Sequence, residues 1–309
     1  MGLIAHPEFL ILDQSCCAIT LSLVKALVRQ FETKLIYNQA TFDTHSPDVD
    51  FLLSLEADWA APRIHWRKVG TRRWNRYKPC YLCASDPHLR NGREDYVLNE
   101  EIDFLLAYFW HPTLRWFTTI PESRIVHFPW AIPDNFVGRS PISFRGQRKA
   151  MIFGASQGDA YDLRNWCRQQ PHVESYDYSG CENKVMTDEM FFEWLGTFDA
   201  VVAAGSESPT YQLTTPKYFE VLAVGGLLFG QQTTDCHLLG FVHEENCILF
   251  DKGNFNARLA EYIAAADAPS WLRIREAGRQ LIREHHTVSR RIAALETHIR
   301  AQIAERAAA

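Results

Sequence analysis

Lys217 and Glu220 stand three residues apart in "TTPKYFEVLAVGGLLFG", residues 214–230. That spacing puts both side chains on one side of a helix. Thr215 suits an N-cap and Pro216 suits the first helical position, so Lys217 falls in the first turn. The amino end of a helix is already its positive pole, and a lysine there does nothing for the helix itself. It makes sense with an anion docked against it, because free N–H groups, the dipole and the ammonium together suit a diphosphate. Glu220 cannot hold phosphate, but its carboxylate can accept hydrogen bonds from a ribose diol. A lysine for diphosphate and a glutamate for ribose describe a nucleotide sugar. The alternative is an i, i+3 ion pair on the surface of an amphipathic helix.

Other residues could serve the same ligand. Tyr218 neighbours Lys217, and Ser206 and Glu207 lie in the polar loop that precedes the helix. "FGASQGDAYDLR", residues 153–164, reads as a strand end, a small-residue loop and a helix start. Gly154, Ser156 and Gly158 there would let backbone approach a phosphate, with Arg164 one turn into the helix; the same turn also fits a purely structural role.

For an acceptor, "CASDPHLRN" (83–91) ends a strand with Asp86 and His88. A histidine near its ordinary pKa can take a hydroxyl proton while a carboxylate orients it. A solvated loop histidine is the alternative, and Asp13, after an apolar run, is a second candidate base. "RIHWRKVGTRRWNRYK" (63–78) carries seven Lys/Arg and no acid, interleaved with Trp66, Trp74 and Tyr77. Arg72, Arg73, Trp74 and Arg76 in it suit a polyanion such as nucleic acid, or else a solvated loop.

Metal chemistry is not expected. "CYLC" (80–83) is a lone C-x-x-C inside a strand-like run, without the second ligand pair of a structural zinc site. "DVD" (48–50) precedes an apolar run and reads as a solvated strand entry.

The elements that must position these residues alternate. Strands are expected at 9–13, in "KLIYNQ", "VDFLLSL", "PCYLCASD", "IDFLLAYF" and "RIVHFPW", with a helix over 18–31. From 150 the alternation is strict: "AMIFGAS", "HVESYDY", "DAVVAAGS", "LLFGQQ" and "NCILF" as strands, with helical patterns between them and a short helix in "DCHLLGF". Such a run implies a parallel sheet covered on both faces, with ligands beyond the carboxyl ends of its strands. "RSPISFRGQRK" (139–149) has the composition of a linker, and 270–306 is a helical tail broken near "HHTVS".

The chain has 309 residues, a net charge of −5 and eight cysteines that sit mostly in apolar runs. Composition alone gives no reason to expect nucleic acid, disulfides or a membrane span. The start of the sequence lacks the basic and apolar regions of a signal peptide, so a cytoplasmic location is expected.

The stretch "VVAAGSESPTYQLTTPKYFEVLAVGGLLFG", followed by "GFVHEENCILFD" and "HTVSRRIAALE", resembles the C-terminal domain of GT-B glycosyltransferases, nearest to the group-one branch with spore-maturation-like members. The resemblance implies an α/β fold of two Rossmann-like domains, with parallel sheets facing a cleft. The expected domains are 1–140 for acceptor, 147–285 for nucleotide sugar, and a tail at 286–309. It implies metal-independent transfer of a sugar from a nucleoside-diphosphate sugar to an acceptor hydroxyl, with no cofactor. Lys217 and Glu220 match the family's contacts to diphosphate and ribose. The family also places the first loop of this domain near the donor. Retaining members often carry a glutamate eight positions earlier, where this chain has Gln212, so the stereochemistry stays open. Sugar, nucleobase, acceptor and oligomeric state also stay open, with nucleic acid or another polyanion among the acceptors. A catalytically inactive nucleotide-sugar binder in an assembly is the rival reading.

Overall fold

The computed structural model describes residues 1–4, 18–54, 78–84, 87, 93–176 and 186–308. It divides into two compact units, Met1–Pro129 with Ser289–Ala309, and Trp130–Val288. Each is built on one parallel sheet.

In the first unit the strands are β1 (Gly2–Ile4), β2 (Lys34–Ile36), β3 (Leu52–Ser54), β4 (Cys80–Ala84), β5 (Phe104–Ala107) and β6 (Ile125–His127). They lie in the order β2-β1-β3-β4-β5-β6. The helices are α1 (Ala18–Gln30), α2 (Gln39–His45), α3 (Arg93–Asn99) and α4 (Trp110–Trp116). The run at 9–13 lies outside the described residues. Among the described residues the first strand is "GLI", too short to stand out as a periodic pattern. It fits because Gly2 lets the chain lie close: a Cβ there would be 2.6 Å from Leu52 Cδ2.

The second unit has β7 (Ala150–Ile152), α5 (Asp162–Arg168), β8 (Val173–Ser175), α6 (Asp188–Leu195), β9 (Ala200–Ala203), α7 (Pro216–Ala223), β10 (Leu227–Gln231), β11 (Ile248–Phe250), α8 (Phe255–Ala264) and α9 (Pro269–His285). Its strand order is β8-β7-β9-β10-β11, and every pair is parallel. Its core joins Ile152, Val202, Leu227, Phe229 and Phe250 to Leu163, Phe255 and Tyr262. "DCHLLGF" forms turns, not a helix. Its backbone bonds mix spacings: Leu239 N to Asp235 O, Gly240 N to His237 O, and Phe241 N to Cys236 O.

The helical tail breaks where expected. α9 ends at His285, and α10 (Val288–Ala308) follows. Between them Ile132 N donates to His286 O (2.8 Å), and Val288 N donates to Ile132 O (2.8 Å). The backbone at 286–288 serves this small ladder and so leaves the helix. From Ser289 the chain belongs to the first unit again.

Residues 139–149, expected as a linker, are fastened to the second unit. Arg145 N donates to both carboxylate oxygens of Asp199 at 2.9 Å, and Arg279 Nη1 donates to Ser140 O at 2.8 Å.

Candidate functional site

The chain leaves β7 for β8 on one side and later adds β9 on the other, so the strand order reverses between β7 and β9. In open parallel sheets the crevice beyond the carboxyl ends at such a point takes ligands. Two loops border it, one after β7 and one after β9.

Arg164 of α5 joins these loops. It is 3% exposed. Its Nε donates to Ala204 O (2.8 Å), its Nη1 to Ala155 O (2.9 Å), and its backbone N to Gly205 O (3.1 Å). Its guanidinium lies 4.5 Å from the centre of the Tyr161 ring. Gln231, at the end of β10, holds the β9 loop from the other side. Its Oε1 accepts from Gly205 N (2.9 Å) and its Nε2 donates to Ser206 O (2.6 Å). Sequence reasoning passed over Gln231, although a polar residue closing an apolar strand was the available signal. It also passed over Arg168, whose Nη2 donates to Gly154 O.

Gly154 is where the cations meet. Its φ is +104°, and a Cβ on it would lie 2.9 Å from Lys217 Nζ and 3.2 Å from Arg164 Nη1. A side chain there would be strained and would push both cations aside. Lys217 Nζ also lies 4.5 Å from the centre of the Phe153 ring. Two positive side chains thus flank a loop whose backbone is bare, an arrangement suited to an anion.

α7 opens as expected at Thr215, which has extended φ and ψ, with Pro216 following. The expected cap bond is not made. Thr215 Oγ1 is buried without a hydrogen-bond partner among the described residues, and Tyr218 N donates to Thr215 O at 3.1 Å instead. Glu220 is 3% exposed, so it does not belong to a solvated surface pair. A buried carboxylate requires donors, because an unsatisfied one is costly.

Tyr218, expected at the donor, points into the core. It is fully buried and its hydroxyl donates to Gln231 O. Burial pushes its pKa well above the ordinary tyrosine value. Glu207 turns its carboxylate to Lys252 (2.6 Å), and its backbone N donates to Asp162 Oδ1 (3.1 Å). The hydrogen bond to the Glu207 carboxylate holds Lys252 above the usual lysine range. Ser206 is buried, and its Oγ accepts from Ser208 N at 3.1 Å. Ser156 borders the β7 loop, where its carbonyl accepts from Asn165 Nδ2 at 2.7 Å. Gln212 Nε2 donates to Glu207 O at 3.2 Å, inside the same loop.

Asp13, Asp86, His88, Arg72, Arg73, Trp74 and Arg76 lie outside the described residues. Lys78, the last cation of the basic segment, donates to Pro47 O (3.1 Å) and Val49 O (2.7 Å). Cys80 and Cys83 are buried in β4. Asp48 and Asp50 are exposed on either side of buried Val49. Among the described residues no group of three or more His, Cys, Asp or Glu side chains could hold a metal. None of the described helices is long and apolar enough to cross a membrane.

Residues 144–297 match a protein-family model described as "Glycosyl transferase-like". No curated protein matches the chain. Among solved structures, an alpha-glucosyltransferase in complex with UDP and a 13-mer DNA containing a HMU base superposes with a TM-score of 0.64. It is 10% identical, over 97% of this chain and 99% of that one. Alr3699/HepE from Anabaena, in complex with UDP and glucose, gives a TM-score of 0.58 at 11% identity, over 96% of this chain and 98% of that one. A glycosyltransferase from Rickettsia africae gives 0.56 at 11% identity, over 98% of this chain and 97% of that one. At such identities the likeness is one of fold. The chain has the GT-B fold of glycosyltransferases, and its residues 144–297 are similar to the glycosyl transferase-like family.

Proposed function

We propose that the protein transfers a sugar from a UDP-sugar to an acceptor hydroxyl. The observation that carries this reading is the convergence of Lys217 and Arg164 on Gly154 at the point where the strand order reverses. The diphosphate sits against the Gly154 loop and the amino end of α7, with Lys217 supplying charge. Glu220 accepts from the ribose hydroxyls. As the bond from the anomeric carbon to the diphosphate breaks, negative charge grows on the leaving oxygens. The lysine and the helix dipole stabilise that charge without a metal. The acceptor oxygen bonds to the anomeric carbon and gives its proton to a base, for which Asp86, His88 and Asp13 remain the candidates. UDP is the carrier favoured here because structures of like fold are described with it.

Arg164 acts as a positioning residue in this scheme, since its donors are engaged by the two loops. Gln212, standing where many retaining members have glutamate, favours a second reading: a protein that binds nucleotide sugar without transferring it.

The test is calorimetric titration of UDP in the presence of EDTA, followed by an assay for UDP release from UDP-glucose. The wild type should bind UDP, and Glu220→Ala should weaken binding by about 1.5–3 kcal/mol, the range for a hydrogen bond to a charged group. Equal affinity in the two proteins would remove Glu220 from the site. Binding without release or transfer would favour the second reading.

A further inference from the structure

α7 carries both proposed donor residues at its amino end, while its carboxyl end is held by a buried charge cluster. Asp199, just before β9, is the centre. Its Oδ1 accepts from Arg275 Nη1 of α9 at 3.0 Å and from Arg145 N at 2.9 Å. Its Oδ2 accepts from Arg145 N at 2.9 Å and Gln147 N at 3.1 Å. Arg275 and Asp199 are 2% and 1% exposed.

Both arginines then reach the end of α7. Arg275 Nε donates to Gly225 O at 2.6 Å, and Arg145 Nη2 donates to Val224 O at 3.3 Å. Gly138 N donates to Ala223 O at 3.1 Å. Two of the carbonyls that a helix leaves unpaired at this end are therefore met by a guanidinium and a strap of backbone, and Arg275 takes the Gly225 carbonyl just beyond the cap. Cations at a carboxyl terminus also match the helix dipole. Gly225 has φ +71°, and a Cβ there would be 2.7 Å from Ile142 Cγ1, so the strap lies directly against the helix end.

Stability alone does not account for the cluster. Arg275 alone pairs its guanidinium with the Asp199 carboxylate, while that of Arg145 meets only carbonyls, and burial pushes both arginines below the ordinary arginine pKa. Arg275 Nη2 has no hydrogen-bond partner among the described residues. Buried ion pairs often contribute no more than well-packed apolar residues would, and fixing one arrangement is their better-attested use.

We infer that Asp199, Arg275 and Arg145 form a clamp that positions α7, and through it Lys217 and Glu220, against the Gly154 loop. The inference rests on the proposed donor site. α7 has eight residues, or about 12 Å of rise. Its middle is packed, with Tyr218 against Gly230 and Leu222 against Gly278. Released at the carboxyl end, the helix pivots about those contacts and its amino end moves. Displacing charge from phosphate then weakens diphosphate binding more than nucleoside binding.

The experiment measures melting temperature and the affinities for UDP and for uridine, well below the melting transition. The proteins are the wild type, Arg275→Lys and Arg145→Gln. Lysine keeps the charge at 275 but loses the planar fork that reaches two acceptors at once. Arg145→Gln keeps the backbone bonds to Asp199 and removes the guanidinium's reach to Val224 O and to Phe198 O (2.6 Å), so it serves if Arg275→Lys fails to fold. The expected result is a UDP affinity lower by about tenfold, as when a supporting shell is loosened, with a clearly smaller loss for uridine. Equal losses for both ligands, or unchanged affinities beside a lowered melting temperature, would overturn the clamp as a positioning device. A wild type that binds no UDP would instead remove the donor site, and the clamp's role with it.

Discussion

At the scale of single residues, the type and spacing of Lys217 and Glu220 are what single out this helix, because a lysine in a first turn needs an external reason. Burial was not legible. The sequence allows Glu220 to be a surface partner of Lys217, and only packing shows it 3% exposed. Tyr218 shows the opposite failure: beside a proposed donor residue in sequence, it faces the core because adjacent helical positions diverge by about 100°. Arg164 was legible as a cation near the loop, but two of its three loop contacts, to Ala204 and Gly205, cross to the loop after β9. The Lys217 ammonium makes a prediction that separates charge from structure. Lys217→Ala should reduce UDP affinity by about 1.5–3 kcal/mol and barely change uridine affinity, as read by calorimetry. Equal losses for the two ligands would make Lys217 structural.

At the scale of elements, the run from β9 through α7 to β10 was legible because apolar strand, capped helix and paired glycines are all local signals. The close approach between α7 and β10 was not. A Cβ on Gly230 would lie 2.8 Å from Tyr218 Cε1, so this glycine is a packing requirement that reads in sequence only as a weak strand residue. Gly230→Ala should cost about 1–3 kcal/mol, the usual penalty for overfilling a core, in denaturant unfolding; an unchanged midpoint would show that the ring can yield. α10 makes a second prediction. His298 lies between Tyr81 (5.8 Å) and Phe104 (4.9 Å) in the first unit, and burial lowers its pKa. The folded protein therefore protonates the ring less readily than the unfolded chain, which takes up a proton near the ordinary value of about 6.5. Its contribution is therefore present above that pH and declines as pH falls toward the lowered folded value. His298→Phe should flatten the fall in melting temperature below about pH 6.5. An unaltered pH profile would remove His298 from the account.

At the scale of the whole molecule, the alternation of strands and helices was enough to expect two parallel sheets. Strand order was not readable, because a crossover's destination is not written in its local pattern. Nor was the return of α10 to the first unit, since an amphipathic helix does not name its partner. Charge distribution, by contrast, is a property that sequence gives directly. The chain sums to −5 although residues 63–78 hold seven cations and no acid, so the remainder is strongly acidic. One of the seven, Lys78, is committed to the carbonyls of Pro47 and Val49. The others form a concentrated charge interleaved with aromatic rings, which suits a polyanionic acceptor better than a neutral sugar. If that acceptor is nucleic acid, affinity should fall steeply with salt as counterions are released, by a slope of about −0.7 per neutralised phosphate on single strands. Changing Arg72, Arg73 and Arg76 to alanine should flatten the slope. UDP affinity should be untouched, because the proposed donor residues belong to the other unit. Trp74→Ala should cost about 1–3 kcal/mol on single strands if its ring stacks on a base. Fluorescence anisotropy over a salt series checks all of this. A protein that binds neither DNA nor RNA nor another polyanion at low salt would reduce the segment to a solvated surface, and the acceptor would then be sought among neutral sugars and small molecules.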